Sequence, residues 1–182
     1  MAGRVSWPGA GARRRLRRFA GDQDGSTLVE FAFVIFPFFF MVFAILEVAL
    51  IFTVNSVLEN ATIETGRLVR TGQARAADMG AVEFENSLCS RMSIFAGECP
   101  DRVSIDVRVI PQFKAVPPDP TSGGAFDPSG LSYANGLPGD LILVRVWYKH
   151  PLVTAFMSPA LSRMSDGTAL LTSTTAFRNE PP

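Results

Sequence analysis

Two carboxylates interrupt an otherwise uncharged apolar run: Glu30 at its head and Glu47 towards its far end. Both lie within residues 25–54, GSTLVEFAFVIFPFFFMVFAILEVALIFTV. A carboxylate in such surroundings is costly unless it reaches water or finds a partner. Glu30 sits near a helix N-terminus, where the helix dipole favours an interfacial acid. Glu47 can snorkel to the outer interface or mark a helix–helix contact inside an assembly, and the contact is the favoured reading. Other reactive side chains are sparse. His150 is the sole histidine, beside Lys149 and Pro151 at a strand end, and no nucleophile-elbow pattern accompanies it. It reads as a surface residue. The sequence has no P-loop, no dinucleotide-binding glycine pattern and no cluster of metal ligands. Catalysis, a cofactor and a metal are therefore not expected.

The element that carries the two acids is a helix long enough to cross a bilayer. Residues 31–46 hold no charge, and residues 31–54 as a helix would cover roughly 36 Å against a hydrocarbon core of roughly 30 Å. Central Leu, Ile, Phe or Val residues each favour insertion by about 0.3–0.6 kcal/mol, so about a dozen of them outweigh one acid near an edge. Pro37 cannot donate a backbone hydrogen bond to Phe33 and should bend the helix there. Seven Phe between Phe31 and Phe43 offer a bulky surface for lipid. The run is longer than the apolar region of a secretory signal and does not end in a small-x-small cleavage site, so it reads as a retained anchor.

Charge sets the expected topology. Net charge is zero over 182 residues, yet Arg4, Arg13, Arg14, Arg15, Arg17 and Arg18 precede the span with only Asp22 and Asp24 against them. A basic cluster beside a span stays cytoplasmic. This assigns residues 1–25 to a basic, disordered cytoplasmic leader, 26–54 to a transmembrane helix and 55–182 to an extracytoplasmic domain. Nucleic acid is not an expected partner; membrane lipid is.

Beyond the span, Val54, Val57, Leu58, Ala61, Thr65, Leu68 and Val69 recur at three- and four-residue steps, so the helix continues with an apolar stripe until Gly72. A second helix is expected from residue 76 or 78 to 95, with Met79, Val82, Cys89, Met92 and Phe95 on one face. Export to an oxidising space makes a Cys89–Cys99 disulfide the default for the only two cysteines. Residues 103–109 alternate as a half-buried strand, 141–148 read as an inner strand and 169–177 as a third. Residues 111–139, crowded with Pro and Gly, read as a long surface loop, and 151–163 as a strand exit with room for a short helix. The fold class is α+β: a long N-terminal helix, a second helix and a roughly three-stranded antiparallel sheet of undetermined order.

The stretch Gly25-Ser26-Thr27-Leu28-Val29-Glu30-Phe31, opening an apolar helix behind an Arg-rich leader, resembles a type IV prepilin processing site. In that site a membrane peptidase cuts after Gly and leaves Glu as the fifth mature residue. Ser26 would then carry a free amine, and Glu30 could pair with the amine of an adjacent subunit and set its register. More widely, Val29-Glu30-Phe31-Ala32, Pro37, Glu47 and Leu58-Glu59-Asn60-Ala61 leading to Gly66-Arg67 resemble the TadE-like family of tight-adherence pilus assembly proteins. Phe31 stands where related pilins often carry Tyr. The resemblance covers about 50 residues. It implies a minor pilin or pseudopilin of the bacterial inner membrane, handled by a prepilin peptidase and partnered by other pilin subunits and the tight-adherence secretion machinery. It also implies that the emerging helix docks on the sheet as a pilin helix does. The other class consistent with the residues is an uncleaved single-pass envelope adaptor that scaffolds a secretion system.

Overall fold

A computed structural model describes residues 24–113, 117–121 and 124–181. The chain divides into two units, Met1–Phe43 and Ala44–Pro182. The expected disordered leader falls almost wholly outside the described residues. One helix, α1 (Asp24–Arg70, 47 residues), supplies the described part of the first unit and the opening of the second, and Pro37 lies inside it without ending it. The freed Phe33 carbonyl costs one hydrogen bond, which a long apolar helix tolerates among neighbours that can re-satisfy it.

In the first unit no described side chain of α1 is buried. Leu28, Phe31, Phe33, Phe36 and Phe40 are each more than half exposed, between 53% and 78%. Phe39 stacks on Phe43 one turn later with ring centroids 6.2 Å apart. The helix is long and apolar enough to cross a membrane.

In the second unit α1 changes character. Glu47, Val54, Leu58, Ala61, Thr62, Thr65 and Val69 are buried, a stripe at three- and four-residue steps. Strands β1 (Val103–Ile110), β2 (Leu141–Pro151) and β3 (Thr168–Arg178) form an antiparallel meander in the order β1-β2-β3. The registers run from Val103 opposite Tyr148 to Ile110 opposite Leu141, and from Leu141 opposite Arg178 to Pro151 opposite Thr168. Side chains alternate across a strand. The even-numbered residues Ile142, Val144, Val146 and Tyr148 of β2 therefore join Val54, Leu58 and Val69 of α1 in one core. A Cβ on Gly66 would stand 3.2 Å from the Phe177 ring, which shows how closely α1 approaches β3.

The region between α1 and β1 differs from the single helix expected there. After Gly72, left-handed at φ 74°, come α2 (Gln73–Ala76), α3 (Ala81–Ser90) and a 3-10 turn at Ser93–Glu98. Asp78 and Ser93 both take positive φ, so the chain turns at two points where a helix would need φ near −63°. α3 starts at Gly80, whose N–H donates to the Glu83 carboxylate at 3.0 Å. Its buried face is Phe84, Leu88 and Cys89, whereas Val82 is 66% exposed.

Cys89 and Cys99 form a disulfide that ties the end of α3 to the approach of β1. Both sulfurs sit in the core beside Leu88 and Met92. Closing a loop over a separation of 10 residues is worth about 2–3 kcal/mol in the chain-entropy treatment. Thermal unfolding of a Cys89→Ser, Cys99→Ser double variant should show a loss of that size, and an unchanged melting temperature would contradict it.

The connection between β1 and β2 has no hairpin among its described residues. A 3-10 turn at Pro128–Gly130 leads into Tyr133, which bridges to Val107 in parallel fashion. Residues 151–163 do hold a short helix, α4 (Ser158–Leu161), after a 3-10 turn at Ala155–Met157.

Candidate functional site

Gly25, Ser26 and Glu30 all lie in the first part of α1. Glu30 is exposed to the surroundings of the helix, among the large apolar side chains described above. Each turn of helix there presents bare hydrocarbon, and a patch of that extent marks a membrane or a protein partner.

Glu47 is held differently. It is 3% exposed, and its carboxylate accepts hydrogen bonds from the loop after β2. The Val153 N–H donates to Oε1 at 3.0 Å, and the Thr154 N–H and hydroxyl donate to Oε2 at 2.8 and 2.7 Å. The second acid of the apolar run thus has its partners within its own chain, more than 100 residues on. A carboxylate fits this position because two backbone donors and a hydroxyl converge there, and a charged acceptor binds each about twice as strongly as a neutral one.

His150 corrects the surface reading. β2 runs on to Pro151 rather than stopping at Tyr148, and its two-residue period carries His150 onto the core face. The imidazole is 5% exposed, and neither ring nitrogen has a hydrogen-bond partner among the described residues. Burial lowers its pKa below the ordinary 6.5, with Glu47 pulling upward, Arg102 downward and Glu98 upward. Since the unfolded chain takes up the proton first, stability is complete above about pH 6.5 and falls as pH drops through and below that value. Melting temperatures of the full chain between pH 7.5 and 5 should therefore decline, and His150→Phe should flatten that decline. An equally steep decline in the variant would contradict the assignment.

Asp106 stands on the polar side of the alternation in β1, the side that a half-buried strand turns to solvent, yet it is fully buried. Arg145 on β2 donates to its Oδ2 from Nε at 3.0 Å and from Nη2 at 2.8 Å. Arg108 donates through Nε at 3.0 and 2.8 Å and through Nη2. The Ser132 N–H donates at 2.9 Å from the long loop. The two guanidiniums continue to the carbonyls of Gly130 and Pro118, at 2.9 and 3.0 Å. The sequence signal is Asp and Arg at i and i+2 on one strand, with Arg145 the only charged residue in 141–148 of the inner strand. Burial raises the Asp106 pKa, but the Arg108, Arg145 and Ser132 hydrogen bonds outweigh it and leave the group below its usual 3.8. This cluster fastens the loop over the sheet and makes no reactive centre.

Among the described residues no three His, Cys, Asp or Glu side chains converge as a metal site. What the molecule offers is an exposed apolar helix with one acid near its head and one acid locked to a folded domain. Residues 25–67 match the family model described as TadE-like protein. No curated protein and no solved structure is significantly similar to the chain.

Proposed function

Taking the TadE-like segment 25–67 as premise, we propose that this chain is a membrane-anchored minor pilin or pseudopilin working in tight-adherence pilus assembly. Its action is mechanical and non-catalytic: the apolar length of α1 packs beside other pilin helices. The observation that carries this reading is the uncovered first part of α1, with Phe33 78% and Phe36 73% exposed. Such a surface is stable only in lipid or against similar helices.

The basic leader keeps the N-terminus cytoplasmic, and the domain that follows lies in the periplasm, anchored in the inner membrane. A prepilin peptidase cuts between Gly25 and Ser26, releasing the Arg-rich segment. The new Ser26 amine and the Glu30 carboxylate of a neighbouring subunit then pair inside the helix bundle, where an acid beside a cation is less costly than one facing hydrocarbon. The disulfide-tied domain selects the partner within the secretion machinery.

N-terminal sequencing of the protein from wild-type cells tests this directly. Ser26 should be the first residue, and Gly25→Val should retain the leader and abolish pilus formation. An intact leader in wild-type cells, with pili unaffected by Gly25→Val, would leave an uncleaved envelope adaptor as the better description.

A further inference from the structure

Glu47 fixes one loop of the folded domain at a defined level of α1. Counting from Phe31, where the uncharged run begins, twenty helical residues end at Leu50, within one turn of Glu47, and twenty residues at 1.5 Å each span about 30 Å, the thickness of a hydrocarbon core. The far boundary of the apolar layer therefore falls close to Glu47. The loop bound there is residues 152–157, through the Val153 and Thr154 donors.

The composition of that loop suits the boundary. Residues 151–162, PLVTAFMSPALS, contain no charged side chain, and Lys149 and Arg163 bracket them. Val153 is 75% exposed and Phe156 is 42% exposed. On α1 nearby, Ile45, Leu46 and Phe52 are 60%, 58% and 72% exposed, so the uncovered apolar surface of the helix extends through the same level. Glu47 satisfies two of the loop's backbone donors and the Thr154 hydroxyl, which lowers the polar cost of bringing its backbone towards lipid.

We infer that residues 152–157 form a second membrane contact, a short apolar loop that Glu47 seats in the interfacial layer of the bilayer. The occupant of this surface is lipid, since it continues the exposed apolar surface of α1 and is followed by the exposed Arg163, suited to anionic headgroups. The inference rests on the membrane-anchor reading of α1. Its consequence is orientational: with two attachments instead of one, the sheet cannot swing freely about the helix and offers a fixed face to partners.

Tryptophan quenching by lipid tests it. The full chain is placed in nanodiscs of phosphatidylcholine and phosphatidylglycerol with bromines near the head of the acyl chain. The emission added by each new tryptophan is compared with the unsubstituted chain. Phe156→Trp and, independently, Val153→Trp should lose emission to the bromines to an extent comparable with Phe36→Trp in α1. Ile94→Trp, at a position 84% exposed on the domain, should be spared, with quenching several-fold weaker. If Phe36→Trp is quenched while both loop positions behave like Ile94→Trp, the second contact is overturned and the anchor stands. If Phe36→Trp is also spared, the anchor reading falls and the loop contact with it.

Discussion

Replacing Asp106 with alanine is expected to destabilise the folded domain by about 3–5 kcal/mol, the range for removing one partner of a buried ion cluster. The size follows from what is left behind. Arg145 and Arg108 side chains are only 11% and 22% exposed, so both charges would remain in a largely dry site facing each other. The Ser132 N–H would lose its acceptor as well, which loosens the loop from β1. Asp106→Asn should cost less, because the amide keeps one oxygen acceptor and the same shape. Acid should reproduce part of the effect. The folded-state pKa lies below the unfolded value of 3.8, so this contribution is intact above about pH 3.8 and is lost as pH falls through the folded value. The acid limb of a thermal-stability profile should therefore flatten in Asp106→Ala. An alanine variant that melts within a degree or so of the wild type would show that the cluster is ornamental.

The elements built on short-range pattern were legible in the sequence. The period of 3.6 in α1 and the period of 2 in the strands place hydrophobic side chains, and those are what a periodic pattern reports. The interruptions between α1 and β1 escaped, because Asp78 and Ser93 adopt positive φ at positions without glycine. His150 escapes for a related reason: a strand ending at Tyr148 leaves His150 at the surface, whereas three more paired residues bury it. Asp106 shows the limit of alternation itself. The polar face of a strand is a solvent face only when nothing covers it, and here Ser132 and the carbonyls of Gly130 and Pro118 arrive from the loop that follows β1. Pairing across such separations is not encoded in any local window. The same is true of Glu47, where the acid was visible as an anomaly but its partners lay 106 and 107 residues away.

Glu47→Ala should cost about 3–4 kcal/mol, since it removes the acceptor of three hydrogen bonds to a charged group, each worth about 1.5–3 kcal/mol when buried. The cost falls below the plain sum of about 4.5 kcal/mol or more because Val153 itself is 75% exposed, and water can reach the loop once it lifts. The effect should be local before it is global. Hydrogen exchange at the Val153 and Thr154 amides should accelerate well beyond the change at core amides of β2 such as Val144. Glu47→Gln separates charge from shape. Its single carbonyl oxygen can hold one of the two N–H groups while the amide NH2 meets the other as a misplaced donor, so exchange should rise at one site more than at its neighbour. Glu47→Asp falls a methylene short of donors now at 2.7–3.0 Å and should release both. Unchanged exchange at residues 153 and 154 in all three variants would mean that the carboxylate does not hold the loop. Acceleration in the predicted order would instead explain why an acid is tolerated at the far edge of an apolar helix: it is the one side chain there able to satisfy two backbone donors and a hydroxyl at once, where the lipid-facing rod gives way to the folded domain.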